Sequence, residues 1–328
     1  MPRPFAPAPP RLVALSLLQE GLVSARQCEE HGVSSARRAR LVAAGRWARV
    51  THAVFDTDPT PPARRTGTDV LDHRRRRRVW AALLAYGPEA VAVGASALAL
   101  LGVHGLPVDL TPEVALHGGR FGRARDGVVV RQYEAGRVLR ARGAPVIDPE
   151  LALAQAVPTW ARRQAVTVLD SALQQRIVTW GGLHRAHELA RGRRGVARTH
   201  DWWGLAREDA ESPLETWARL EAVDAGCPPD RLQVGVEDRD GRFLGRGDLG
   251  WLLPDGRWFV VEADGAGVHS APQALFHDRA RQNAMVTAGS AVVVRVTHGD
   301  LRVEGRVGAQ IVRSLAALGW RPRPTSTT

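Results

Sequence analysis

The stretch from Gly245 to Leu301 constrains this chain most, because Asp248, Glu262, Asp264 and His269 gather there in very little sequence. Arg242 to Trp251 is predicted as a strand, Pro254-Asp255-Gly256-Arg257 has the residues of a tight turn, and Trp258 to Glu262 is predicted as a second strand. A turn centred between Asp255 and Gly256 sets Asp248 opposite Glu262 or Ala263, and the period of two keeps Glu262 and Asp264 on one face. Asp248 and Glu262 are expected to share a face. Carboxylates that close repel unless a cation or proton sits among them, and hard oxygen ligands suit Mg²⁺ or Mn²⁺ better than zinc. Pro272 to Ala288 then has the pattern of a helix, Gly289 stops it, and Ala291 to Val296 is an apolar run suited to a buried strand.

Ahead of the hairpin, Ser212 followed by Glu215 is a capping box, with Pro213 at the first helical position. Capping alone accounts for Glu215. The formal net charge is +11 and the pI about 11.2, a balance that points to a polyanionic partner such as nucleic acid. No lysine occurs, so all 45 basic residues are arginine, which holds its proton and cannot act as a base. No stretch is apolar enough to span a bilayer, and Cys28 and Cys227 have no metal spacing; both facts fit a reducing cytoplasm.

At the N-terminal end, Arg11 to Glu20, Ser24 to Glu30 and Ser34 or Ser35 to Ala44 are predicted as three helices, and Arg46 to Phe55 alternates as a short hairpin does. That is winged helix-turn-helix order. In the third helix Ala36, Ala39 and Ala43 are expected to pack inward while Arg37, Arg38 and Arg40 point outward to DNA, with Arg46 and Arg49 reaching phosphates. Thr57 to Asp69 has linker composition. Arg74 to Arg78 are five consecutive arginines, to be read either as a solvated helix start or as a contact to a DNA backbone. Trp80 to Val103 is predicted helical with interruptions at Gly94 and Ser96, and Glu113 to His117 and Gly127 to Tyr133 as strands. Further helices are expected from Asp148 to Val157, Arg162 to Gln175 and Leu183 to Arg191.

Two resemblances sharpen this. Arg11 to Phe55, with Gly21-Leu22-Val23-Ser24 and Gly45 to Val50, resembles the N-terminal domain of AbiEi-type antitoxins, which implies a DNA-binding autoregulator and a cognate toxin as partner. Gly247-Asp248, Val261-Glu262-Ala263-Asp264-Gly265 and His269, with Asp278, Arg281, Asn283 and Val294-Arg295-Val296, resemble the very-short-patch repair endonucleases of the PD-(D/E)xK superfamily. That resemblance implies Mg²⁺-dependent hydrolysis of DNA phosphodiesters. It makes Asp248 and Glu262 metal ligands, Asp264 a further ligand or an orienter of the metal's water, and His269 the general base. It also brings Glu215 into the acidic site and lets Arg281 steady a phosphate or pair with Asp278. The chain departs from the superfamily where Asp264 stands in place of the motif lysine.

The expected architecture is a multi-domain α/β protein. Residues 1–10 form a disordered start, 11–56 a winged helix-turn-helix, 57–73 a linker, 74–200 a middle α+β domain, 206–320 a restriction-endonuclease-like α/β domain with a mixed sheet, and 321–328 a disordered tail. The rival expectation is a non-catalytic antitoxin-like regulator with a degenerate nuclease fold.

Overall fold

The computed structural model describes residues 7–58, 60, 69–124, 126–132, 136–264, 285 and 287–322. The protein is mixed α/β with three sheets. It divides into two compact units, Met1–Trp160 with Ile177–Trp203, and Ala161–Arg176 with Gly204–Thr328. Among the described residues no helix is long and apolar enough to cross a membrane.

The first unit opens with α1 (Pro10–Leu18), β1 (Leu22–Ser24), α2 (Ala25–Glu30), α3 (Ser35–Ala43), β2 (Ala48–Thr51) and β3 (Val54–Asp56). The strands form an antiparallel sheet in the order β1-β3-β2. Ser24 and Gln27 close a reciprocal capping box at α2, and Ser34 caps α3 by accepting the Arg37 N–H. Leu12, Val23, Cys28, Val33, Leu41 and Trp47 bury a small core beneath these elements.

Next come α4 (Val70–Tyr86), β4 (Ala90–Ala92) and α5 (Gly94–Leu101), where a single interrupted helix is expected from Trp80 to Val103. Gly87, at φ +87°, ends α4, and Ala90 to Ala92 is a fully buried strand at the centre of a five-stranded sheet. A short apolar run carries no periodicity to separate buried strand from buried helix. The sheet, ordered β6-β5-β4-β8-β7, adds β5 (Glu113–Leu116), β6 (Val129–Arg131), β7 (Val138–Ala141) and β8 (Ala144–Ile147). Helices α6 (Pro149–Ala156), α8 (Trp180–Ala190) and the one-turn α9 (His200–Trp203) complete the unit.

Arginines 75 to 78 meet carboxylates within this unit. Arg75 pairs with Asp72 and donates to the Pro107 carbonyl; Arg76 pairs with Glu20 and Asp69; Arg77 pairs with Asp56; Arg78 reaches Asp109 at 3.3 Å. Arg75 and Arg76 are buried. Arg76 and Arg77 tie α4 to Glu20, just past α1, and to Asp56 on β3, while Arg74 and Arg78 are exposed.

In the second unit α7 (Arg162–Gln174) and α10 (Pro213–Asp224) accompany β9 (Arg231–Glu237), β10 (Phe243–Leu252), β11 (Trp258–Asp264), β12 (Ala291–Thr297) and α11 (Arg306–Ala317). The sheet runs β12-β11-β10-β9, with β9, β10 and β11 antiparallel and β12 parallel to β11. Leu249, Trp251, Phe259 and Val261 pack on Ala218 and Ala222 of α10 and on Val307, Ile311 and Leu315 of α11. Asp170 of α7 accepts from Arg219, Thr216 and the Arg207 N–H, all at 2.7 Å, in a buried ion pair that fixes α7 against α10. Buried Glu221 caps α11 through the Val307 and Gly308 N–H groups and also accepts from Arg163.

Candidate functional site

The hairpin of β10 and β11 forms with the register Leu249↔Val261 to Leu252↔Trp258, around a turn in which Gly256 takes φ +86°. Extended by one step this register sets Asp248 opposite Glu262, but the two strands part there. In place of a further rung, Asp248 Oδ2 accepts the Ala263 N–H at 2.8 Å. That bond places the Asp248 carboxylate beside the backbone between Glu262 and Asp264.

Close packing on both sides of Asp248 requires glycine. A Cβ on Gly247 would stand 2.2 Å from Val260 Cγ1, and one on Gly250 would stand 2.6 Å from Val234 Cγ1. We expect Gly247→Ala to lower stability by about 1–3 kcal/mol through overpacking, read from urea unfolding midpoints. An unchanged midpoint would mean that β10 yields at no cost.

Glu215, in the first turn of α10, does two things at once. Its Oε2 accepts the Glu211 N–H at 2.9 Å and Gln233 Nε2 at 2.7 Å, while Ser212 Oγ accepts the Glu215 N–H. The side chain is buried, and burial, followed by the charge of Asp248, pushes its carboxyl up to about 7. Capping therefore coexists with membership of the acidic group. Gln233 reaches Glu215 from a backbone kink in β9 at φ +50°; Leu232 and Val234, on either side of it, join different cores. Sequence reading passed over Gln233, whose only signal is a polar residue in an otherwise alternating strand.

Glu262 is buried and Asp264 half-exposed; Arg295 lies 3.5 Å from the first and 3.3 Å from the second. The pairing Glu262↔Arg295 across β11 and β12 creates this contact. Arg295 is a site residue that sequence reading treated only as part of a closing pattern. Glu215 and Asp248 thus form one acidic pair, and Glu262 and Asp264 a second whose charge the Arg295 guanidinium offsets in part. Among the described residues no group of three or more His, Cys, Asp or Glu side chains is spaced to hold a metal. Carboxylate oxygens are the donors Mg²⁺ prefers, and the like charges of Glu215 and Asp248 are what a cation relieves, so this pair fits a divalent ion in chemistry. His269 and Arg281, with Asp278 and Asn283, lie outside the described residues.

The N-terminal arginines divide. Arg40, Arg46 and Arg49 are exposed on α3 and around β2, whereas Arg37 is half-buried and donates to the Pro7 carbonyl at 2.8 Å. Arg38 contradicts the expectation: it is 7% exposed, donates to the Val33 carbonyl and to Glu29 at 2.9 Å each, and its guanidinium lies 5.7 Å from the Phe55 ring centre. Leu41 sets the phase of α3, and position 38, one turn earlier on the same stripe, turns inward with it. Ala36, Ala39 and Ala43, expected inside, are exposed. Both cysteine thiols are buried, which pushes each up to about 11 and away from reactivity.

No protein-family model matches the chain. Two uncharacterized proteins of Mycobacterium tuberculosis, MT2308 and Rv2248, from two strains, are each 30% identical to it over 233 residues, which is 70% of this chain and 82% of each relative.

Proposed function

We propose, for a chain that belongs to the same family as these two mycobacterial proteins, a DNA-binding protein whose second unit is a restriction-endonuclease-like domain that hydrolyses phosphodiester bonds. One observation carries the reading: buried Glu215 of α10 feels the charge of Asp248 of β10, whose carboxylate accepts the Ala263 N–H between Glu262 and Asp264 of β11. The strand order, three antiparallel strands followed by one parallel to the third, agrees with that fold.

In this reading Glu215 and Asp248 would hold Mg²⁺ or Mn²⁺, with Glu262 and Asp264 as further oxygen donors on the neighbouring strand and Arg295 beside them as a cation for a phosphate. When bound, such an ion lowers the pKa of water and offsets charge on the phosphate. The protein's own part is positional: Ala263 N–H orients Asp248, and Gln233 orients Glu215. His269 is the proton acceptor on sequence grounds.

The first unit supports DNA contact through a winged helix-turn-helix reading of α1 to β3, with Arg40, Arg46 and Arg49 toward phosphates. We expect Arg40→Gln to leave stability within about 0.5 kcal/mol while lowering the slope of log affinity against log salt by about one phosphate contact. Arg38→Gln is expected to do the reverse, costing about 1–3 kcal/mol by leaving buried acceptors unmet. Denaturation and salt-titrated DNA binding on both variants check this, and a normal salt slope for Arg40→Gln would turn α3 away from DNA.

The test of the whole is incubation of supercoiled, mismatched, branched and single-stranded DNA with the protein and Mg²⁺ or Mn²⁺. Cut product supports the nuclease; a protein that shifts the duplex and never cuts it overturns that reading. The second reading, a non-catalytic regulator with an antitoxin-like role and a toxin partner, is favoured by Arg295, which offsets part of the charge of Glu262 and Asp264.

A further inference from the structure

Two histidines of the first unit, neither used in the readings above, meet from separate elements. His187 of α8 and His200 of α9 are 13 positions apart in the chain, yet His187 Nε2 and His200 Nδ1 stand 2.8 Å apart. Their ring centres are 5.1 Å apart, with the planes inclined at 50°. The loop between them, from Glu188 to Thr199, carries Arg191, Arg193, Arg194 and Arg198.

Packing fixes one ring and leaves the other accessible. Leu183, Ala186 and Ala190 set the buried stripe of α8, and position 187 falls on its edge, half-buried. The His187 ring is stacked on Trp203, their centres 5.1 Å apart and their planes 13° apart, and Trp203 is itself 4% exposed. That stack sets the direction of Nε2 without occupying it. His200 is exposed.

Two imidazole nitrogens that face each other at this distance share either a proton or a cation. As a hydrogen bond, in which one ring donates and the other accepts, the contact gains little, because water serves an exposed imidazole about as well. A cation takes both lone pairs. Zinc bonds imidazole nitrogen at about 2.0–2.1 Å in tetrahedral geometry, which sets two ligand nitrogens roughly 3.3 Å apart. The pair at 2.8 Å needs to open by about half an ångström, a movement open to the exposed His200 side chain. Burial, followed by the charge of His200, holds His187 below the usual imidazole range, which keeps its lone pair available near neutral pH.

We infer that His187 and His200 form a two-histidine site for a divalent cation of the zinc, copper or nickel kind, with His187 Nε2 and His200 Nδ1 as ligands and water at the remaining positions. Both rings bind neutral, with their protons on His187 Nδ1 and His200 Nε2. The ring that donates in the hydrogen-bonded pair therefore carries its proton on the far nitrogen once the cation takes the near one. The cation clips the end of α8 to α9 and closes the arginine-bearing loop between them. The inference does not rest on the nuclease reading, whose oxygen donors suit Mg²⁺ where imidazole does not.

The test uses the full chain with ¹⁵N-labelled histidine at pH 7.5, with Zn²⁺ alone as the probe and Mg²⁺ as its counterpart. His187→Gln and His200→Gln assign the two sets of ring signals. Saturable shifts of His187 Nε2 and His200 Nδ1 are expected with Zn²⁺ and none with Mg²⁺. Zn²⁺ affinity, followed through the His187 ring, should fall at least tenfold in the exposed-residue variant His200→Gln, whose melting temperature should match wild type. No shift at either ring with millimolar Zn²⁺ overturns the inference. So does a His187 shift of undiminished affinity in His200→Gln, since the pair would then have no part in holding the ion.

Discussion

Asp248→Asn is expected to cut the rate of Mg²⁺-dependent DNA cleavage on the order of 10²–10³-fold, the loss typical when one preorganised electrostatic group is removed from a reaction site. The substitution is chosen because it preserves the architecture. Asn can still accept the Ala263 N–H that Oδ2 accepts at 2.8 Å, so the parting of β10 and β11 is kept and only the charge goes. DNA affinity should therefore stay at the wild-type value, separating cleavage from binding. A second readout moves with it. Part of the upward push on Glu215 comes from Asp248, so its carboxyl should titrate below about 7 in the variant, yet above its ordinary range because burial, the larger cause, remains. Cleavage at the wild-type rate would remove Asp248 from the site, and with it the strongest support for hydrolysis.

The hairpin could be read from sequence because everything that fixes it is local. The turn residues Pro254 to Arg257 set the loop, the loop sets the register, and the register sets Asp248 against the end of Glu262's strand. The caps at Ser24, Ser34 and Ser212 were legible for the same reason, each a side chain bonding a backbone group three residues on. What pattern did not carry was contact over distance. Asp170 and Arg219 form a buried pair 49 positions apart, and neither stands out among so many charged residues. Arg75 and Arg76 looked solvated because five like charges in a row normally are, but carboxylates from Glu20, Asp69 and Asp72 draw them in.

One helix runs against residue type. On α3, alanines were assigned to the core and arginines to the surface by residue type, whereas the helix is phased by its one large apolar anchor, Leu41, and by Trp47 beyond it. At the acidic site, Asp248 Oδ2 accepts the Ala263 N–H, a bond from side chain to backbone that strand alternation does not foretell. Arg295 became visible only through parallel pairing of β11 and β12, which no local turn dictates.

Arg295 also frames the choice between the two functional readings. A guanidinium within 3.5 Å of two carboxylates supplies much of the charge balance a metal would supply, without any power to accept a proton. At Glu215, burial first and then the charge of Asp248 raise the carboxyl to about 7. The decisive chemistry therefore lies at that pair.

Glu215→Gln is expected to stabilise the protein above pH 7 and leave it unchanged near pH 4. In the wild type, folding raises the Glu215 carboxyl from an ordinary 4.5 to about 7, so the folded state holds a proton that the unfolded chain has released. The sign follows directly: the contribution is fully present below pH 4.5, falls away as the pH rises through 7, and amounts at most to ~3 kcal/mol at 1.36 kcal/mol per unit. Glutamine cannot ionise, and its carbonyl oxygen still accepts from Glu211 N–H and Gln233 Nε2, so the variant escapes the loss while retaining the cap. Urea unfolding at pH 4, 6 and 8 checks this, with the two proteins alike at pH 4, apart by about 2 kcal/mol at pH 6 and furthest apart at pH 8. Adding Mg²⁺ at pH 8 then distinguishes a cation site from a merely buried acid. If the ion binds the Glu215–Asp248 pair, it restores stability to the wild type and does little for Glu215→Gln, whereas equal behaviour of the two proteins with Mg²⁺ would leave Glu215 as a capping residue with a perturbed titration and no ligand role.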